Sequence, residues 1–160
     1  MVGLLFMLVV LTILAVILNM FFDTSIAIII TGIVFFAWYK YNQRASTVGL
    51  FHSNLYVYKH AITNGVSKED AIAFMVKTRY PEVGPEGLSH IFVNIENILL
   101  EITPIVRERF TEPDKELKMF LCALFCYENK LPFQMFTTRL QNKYIGQIEK
   151  EYKKTILGKG

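Results

Sequence analysis

The chain has 160 residues, of which 52% are hydrophobic and 19% are charged, and its net charge at pH 7 is +3. This length leaves room for one domain beside an apolar N-terminal segment. The net charge is +2 over residues 1–59, −4 over residues 60–129 and +5 over residues 130–160. Nucleic-acid binding would require a denser basic patch, so this distribution suits a membrane surface, an acidic partner or a tail that folds back.

Two apolar runs at the N-terminus are separated by Asp23, the one charged residue among the first 39. As a helix, the first run, residues 2–22, is about 31 Å long and can cross a hydrocarbon core of about 30 Å. The second run, residues 25–39, is about 22 Å long, so crossing requires a locally thinner bilayer or snorkelling of Lys40. The pattern predicts a transmembrane helical hairpin anchor over residues 1–45, and a re-entrant hairpin that never crosses fully is the alternative.

The flanks of the two runs predict their orientation. Lys40 and Arg44 follow the second run and no basic residue precedes the first, so the positive-inside rule places both termini in the cytoplasm. The first run lacks the basic start and small-residue cleavage site of a secretory signal. We therefore expect an integral protein of a bacterial-type inner membrane or plasma membrane. The predicted membrane-interface residues are Asp23, Trp38, Tyr39, Lys40, Tyr41 and Arg44.

The turn between the runs carries helix-capping chemistry. The side chains of Asp23, Thr24 and Ser25 can each accept a hydrogen bond from the free amides at the start of the second helix. Asn19 lies one turn before Asp23. Two interpretations of Asn19 stay open, hydration near the headgroups and a hydrogen bond between the two helices.

Residues 46–160 are predicted to form a cytoplasmic bundle of four or five helices, which makes the whole chain all-α. Helix-compatible composition continues to Asn64 and Gly65, where glycine suits a left-handed helix end. Ser67 and Asp70 have the spacing of a capping box that starts the next helix, and Pro81 ends it. Two prolines and two glycines then predict a loop over residues 81–87, either a connector or a recognition loop.

Apolar residues at spacings of three and four predict an amphipathic helix over residues 88–106, with Pro104 kinking it or ending it at Thr103. Thr111 and Pro113 are expected to cap and start the next helix. Its stretch 119–127 is apolar all round, which predicts a central buried helix.

Pro132 is expected to open the last helix. Its apolar residues recur every four positions, so they wind around the helix axis. The late part, residues 148–157, is predicted either to lie on the anionic inner leaflet or to be a solvated helix with a frayed end. The recurring residues are Phe136, Leu140, Tyr144, Ile148, Tyr152 and Ile156.

Catalytic and metal-binding signals are weak. Cys122 and Cys126 lie four apart on a predicted helix, where no disulfide is expected, and apolar neighbours should raise the pKa of Cys122. His52, His60 and His90 could bind a metal only by converging with the thiols or a glutamate. Phosphate-binding, dinucleotide-binding and nucleophile-elbow motifs are absent. We expect no cofactor, no metal, no small-molecule substrate and no enzymatic activity.

The prediction is a non-enzymatic integral membrane protein whose cytoplasmic helical domain binds a protein partner, as a subunit or assembly factor of a membrane complex. A homo-oligomer is also compatible with the sequence. One alternative is a small protective membrane protein of the immunity or exclusion kind, and another is a lipid-acting enzyme at the membrane interface. The predicted partner or lipid contacts are Pro81, Glu82, Pro85, Lys143, Lys150, Lys153 and Lys154.

Overall fold

The computed structural model describes residues 2–131 and 138–158, with side chains from Phe6 onward. Over these residues the chain forms six α-helices, one short 3-10 helix and no strand, which confirms the all-α prediction. The α-helices are α1 (Val2–Phe21), α2 (Thr24–Thr63), α3 (Lys68–Arg79), α4 (Pro85–Val106), α5 (Lys115–Glu128) and α6 (Thr138–Thr155). The chain divides into two compact units, Met1–Thr47 and Val48–Gly160.

The first unit exposes most of its large apolar side chains. Phe6 is 70% exposed, Met20 77% and Ile28 66%. Of its described hydrophobic residues, Leu11 and Ala27 are the buried ones. Helix α2 is long and apolar enough to cross a membrane, and the described apolar stretch of α1, Phe6–Phe21, is shorter.

Helix α2 ends where the glycine signal predicts. Gly65 has a φ of 82°, and its amide donates to the carbonyl of Ile62 while the amide of Val66 donates to that of Ala61. These two bonds are those of a Schellman motif, in which a left-handed glycine satisfies the last free carbonyls of a helix. The predicted start of α3 is also confirmed, because the Ser67 hydroxyl accepts from the Asp70 amide at 3.1 Å.

Helix α4 corrects two expectations. It begins at Pro85, so residues 85–87 form its first turn rather than the end of a loop. Proline lacks an amide hydrogen and has a helical φ, and both features suit the first turn. Helix α4 also continues through Pro104 to Val106, so of the two alternatives for Pro104, a kink or an end at Thr103, the end is wrong. Pro104 is exposed. The helical hydrogen bonding continues beyond it, because the Arg107 amide donates to the Thr103 carbonyl.

Helix α5 starts later than its capping signal predicts. Thr111 does not cap it, because the Thr111 amide and hydroxyl both donate to Glu149, each at 2.7 Å. The helix starts at Lys115 instead, after Asp114 in a left-handed conformation with a φ of 57°. The predicted burial is confirmed through Cys126, since every residue from 117 to 126 is buried, whereas Tyr127 is half-buried.

The core of the second unit is built around α5. Helices α4 and α6 both contact it, and the Phe125 ring lies 5.5 Å from Phe51 of α2 and 4.6 Å from Tyr144 of α6. Buried side chains of α4, such as Ile95 and Ile102, belong to the same cluster. The apolar core therefore joins the second part of α2 to α4, α5 and α6.

Helix α6 packs differently from the prediction. Ile148 and Tyr152 are 0% and 1% exposed and belong to the core, so the late apolar face is neither free to enter a leaflet nor solvated. The physical reason is that the period of α6 brings Ile145, Ile148, Tyr152 and Thr155 onto one buried face. The predicted start at Pro132 and the side chain of Phe136 lie outside the described residues.

Candidate functional site

A small cluster of hydrogen-bonded polar side chains lies at the turn between α1 and α2. The Asp23 carboxylate accepts from the Thr24 amide at 3.0 Å, and the Asp23 carbonyl accepts from the amides of Ile26 and Ala27. The Thr24 hydroxyl donates to Asn19 Oδ1 at 2.9 Å. Asn19 is exposed, and its bond to Thr24 joins the two helices, as one of its two interpretations predicts.

The aromatic and basic flank lies on one continuous stretch of α2. Tyr39, Lys40, Tyr41 and Arg44 are exposed, and Trp38 is half-buried. Lys40 Nζ lies 5.5 Å from the centroid of the Phe36 ring. Helical side chains lean towards the N-terminus of their helix, so the ammonium group points back along the apolar run rather than away from it.

The three predicted contact residues in the predicted loop over residues 81–87 are exposed. Pro81, Glu82 and Pro85 all face solvent, and Val83 is half-buried. A Cβ at Gly87 would lie 2.5 Å from Val83 Cγ1, so Val83 packs over the first turn of α4. The loop is therefore shorter than its composition predicts, and Val83 packs it against α4.

A cavity of about 640 Å³ lies beside the ends of α3 and α5. Its lining includes Tyr80, Ile98, Cys126 and Glu128. The Arg79 guanidinium donates to both Glu128 oxygens, at 2.7 and 3.2 Å, and Tyr80 donates to the same carboxylate at 3.3 Å. Burial, with the Glu128 charge and hydrogen bond, raises the pKa of Tyr80 above its ordinary value. Tyr80 therefore keeps its proton and serves as a hydrogen-bond donor rather than a base.

A buried ion pair lies between α5 and α6. Lys118 is 1% exposed, and its Nζ donates to both Glu149 oxygens, at 3.1 and 3.0 Å, and to the Thr111 carbonyl at 2.6 Å. The ammonium group also lies 4.4 Å from the centroid of the Tyr152 ring. Burial alone would raise the pKa of Glu149, but hydrogen bonds from Thr111 and Lys118 outweigh it and hold the pKa below its ordinary value.

The ion pair continues to the start of α3. Tyr152 donates to one oxygen of Asp114 at 2.7 Å, and Lys68 donates to the other at 2.6 Å. Burial opposes ionisation of Asp114, yet the bonds from Lys68 and Tyr152 keep its pKa below its ordinary value. We call Lys68, Asp114, Lys118, Glu149 and Tyr152 the polar network. The charged groups of this network are hydrogen-bonded to one another. The network therefore acts as a structural link between helices α3, α5 and α6.

The thiols are free and buried. Cys122 and Cys126 are each 1% exposed and form no disulfide. The hydrogen bond between the two thiols, together with burial, raises the pKa of Cys122. A thiol held in its protonated form is a poor nucleophile, as the apolar neighbours of Cys122 predict.

The three histidines do not converge. His52 Nδ1 lies 3.1 Å from the Thr155 hydroxyl and 3.8 Å from Glu151 Oε2, while the imidazole of His60 contacts Asn64. Glu151 Oε2 is buried and has no hydrogen-bond partner within the described part of the protein. Within residues 2–131 and 138–158 no three histidine, cysteine or acidic side chains are placed to hold a metal ion.

The predicted lysine contacts of α6 face solvent. Lys143, Lys150, Lys153 and Lys154 are all exposed, and Lys143 Nζ lies 5.8 Å from the Tyr144 ring centroid. Arg139 is also exposed on this helix. Its spacing of four from Lys143 places the two side chains on one helix face.

Comparison with family models, curated proteins and solved structures finds no match to this chain. Its function therefore has to be inferred from its own surfaces and charges.

Proposed function

We infer that the protein is a non-enzymatic membrane protein, anchored by a transmembrane hairpin of α1 and the first part of α2, whose residues 48–160 form a cytoplasmic module that binds another protein. Its role is that of a subunit or assembly factor of a membrane complex. The observation that supports a membrane anchor is the exposure of large apolar side chains along both helices of the first unit.

The energetic reason is the cost of hydrating that surface. Phe6, Ile28, Ile33 and Phe36 are each more than 60% exposed, although soluble proteins keep contiguous apolar patches small. Each side chain of this size gains about 1.5 to 3 kcal/mol on full transfer out of water. A bilayer supplies that transfer for both helices at once, and the exposed Lys40 and Arg44 favour a cytoplasmic position for the chain that follows.

The binding role is supported by the character of the second unit. It has an apolar core of its own, and its polar network links helices rather than leaving charges open to a substrate. The proposed contact surfaces are the exposed residues Pro81, Glu82 and Pro85 and the lysines of α6.

Crosslinking in native membranes followed by mass spectrometry of the tagged chain tests this function. We expect crosslinks from the α6 lysines or from residues near Glu82 to a defined protein. An absence of protein crosslinks, under conditions that crosslink a known membrane complex in the same sample, would contradict the binding role.

A further inference from the structure

The exposed face of α6 is a straight stripe of positive charge. Taking 100° per residue, the exposed basic residues of this helix fall within about 100° of one another and extend over about 22 Å. Gly146 lies in the middle of the same face and adds no side chain. We call these residues the basic face: Arg139, Lys143, Lys150, Lys153 and Lys154.

The acidic residues of α6 do not neutralise this face. Glu149 is turned towards Lys118 and Thr111, and Glu151 is buried and bonded to Gln147 at 3.0 Å. Among the described residues Lys150, Lys153 and Lys154 have no ion-pair partner. Both acidic side chains of α6 are therefore engaged in contacts within the protein, while the basic residues of the helix are exposed.

Helix α4 presents the opposite charge. It contains Glu86, Glu96 and Glu101, all exposed, and neither lysine nor arginine. These acids fall within about 140° of one another and also extend over about 22 Å. Val93 and Leu100 lie among them and are 51% and 74% exposed. We call these five residues the acidic face.

The two faces cannot satisfy each other within one molecule. Helices α4 and α6 both pack on α5, with their buried faces turned into the shared core. The acidic face and the basic face are on the opposite sides of their helices from those buried residues. Opposite charges of equal extent on one chain, each facing away from the core, are complementary only between molecules.

We propose that the acidic face of α4 in one molecule docks on the basic face of α6 in a second copy of this chain. The contact is heterologous, because it joins two different surfaces, so it generates a ring or an open array of copies. The exposed Leu100 supplies apolar area to the contact, and Gly146 allows close approach of the facing helix. This inference rests on the proposed binding function and identifies the partner as a second copy.

The test is charge reversal with complementation, using the full chain labelled for energy transfer and reconstituted in phosphatidylcholine vesicles. Glu96→Lys/Glu101→Lys gives both faces a net positive charge, and Lys143→Glu/Lys150→Glu/Lys153→Glu/Lys154→Glu gives both a net negative charge. Each variant alone should associate at least about ten-fold more weakly than the natural chain, because like charges then meet. The two variants mixed should associate as well as the natural chain, because each acidic face again meets a basic one.

The controls separate a charge effect from a folding effect. Lys77→Glu reverses an exposed lysine of α3, is matched to Lys150→Glu, and should leave association unchanged. Helical content by circular dichroism should be the same in all variants, since every changed residue is exposed. A carbodiimide, which joins an amine to a carboxylate in direct contact, should link α6 lysines of one copy to α4 glutamates of another.

Three results of the vesicle experiments would overturn the inference. They are equal association of the single-face variants and the natural chain, failure of the mixture to restore association, and shielding of the α6 lysines by phosphatidylglycerol vesicles without energy transfer. The last result would assign the basic face to anionic lipid. Crosslinks in native membranes to a different protein, without self-association, would overturn this inference and leave the proposed binding function standing.

Discussion

At the scale of single residues, Lys118 is a charged side chain that is almost completely buried. Its ammonium group is 1% exposed and depends on Glu149, the Thr111 carbonyl and the Tyr152 ring. Taking one charge of such a pair away leaves the other buried without its counterion, which costs more than the intact pair contributes.

We expect Lys118→Met to lower the free energy of unfolding by about 3 kcal/mol. The double variant Lys118→Met/Glu149→Gln should recover part of this loss, because no unpaired carboxylate remains. Urea unfolding of the detergent-solubilised chain, followed by circular dichroism, measures both. The matched control is Lys59→Met, since Lys59 is exposed and bonds one carbonyl, that of Thr155. A Lys118 variant as mild as the Lys59 variant would contradict the account.

Asp114 makes stability depend on acidity in a defined direction. Its pKa in the folded chain is held below its ordinary value. A lowered carboxyl pKa contributes stability that is fully present above the pKa of the unfolded chain, about 3.9, and is lost as the pH falls through the folded pKa. We expect Asp114→Asn to cost about 1 to 2 kcal/mol at pH 7, with the difference from the natural chain shrinking below about pH 4.

Unfolding measured between pH 7 and pH 3 tests this expectation. Glu116→Gln provides the control, because the exposed Glu116 belongs to the same helix start and should show no such trend. A constant difference between Asp114→Asn and the natural chain across the whole range would be inconsistent with an ionised, hydrogen-bonded Asp114.

At the scale of helices, two glycines should respond in opposite directions to alanine. Gly65 has a φ of 82°, which alanine tolerates poorly, so Gly65→Ala should destabilise the chain by about 1 kcal/mol. Gly146 lies inside α6 with open space at its Cβ position, so Gly146→Ala should stabilise by about 0.5 to 1 kcal/mol. Thermal unfolding of the two variants beside the natural chain shows the signs, and equal signs would contradict these helix assignments.

The helices predicted most closely are those with a complete local signal. The Ser67 cap, the Gly65 end and the apolar period of α4 depend on residues within a few positions of one another. The predicted start of α5 is wrong because the Thr111 amide and hydroxyl donate hydrogen bonds to Glu149, 38 residues away, and Thr111 does not cap the helix. A bond of that sequence separation leaves no trace in the local pattern.

The candidate contact surfaces are likewise predicted only in part by the local sequence. The exposed lysines of α6 follow from the sequence, but the sequence alone assigns the late part of that helix to a leaflet or to solvent. An apolar stripe with flanking lysines looks the same whether it meets lipid or a protein core. The partnership of Lys118 with Glu149 and the opposed faces of α4 and α6 depend on tertiary packing around α5, which the linear sequence does not specify.

At the scale of the whole molecule, the chain combines one unit with an exposed apolar surface and one with a buried apolar core. The exposed apolar surface of the first unit is the basis of the proposed anchor, and helix α2 contributes residues to both units. In the proposed transmembrane hairpin, the turn at Asp23 lies on one side of the membrane and the second unit on the other.

Cysteine labelling in intact cells tests the membrane anchor most directly. Asp23→Cys and Glu96→Cys each place a thiol at an exposed position, and the natural thiols of Cys122 and Cys126 are buried. A membrane-impermeant maleimide should label Asp23→Cys from outside and Glu96→Cys only after the cells are permeabilised. Labelling of both variants only after permeabilisation would contradict the transmembrane hairpin and assign α1 and α2 to a re-entrant or peripheral anchor.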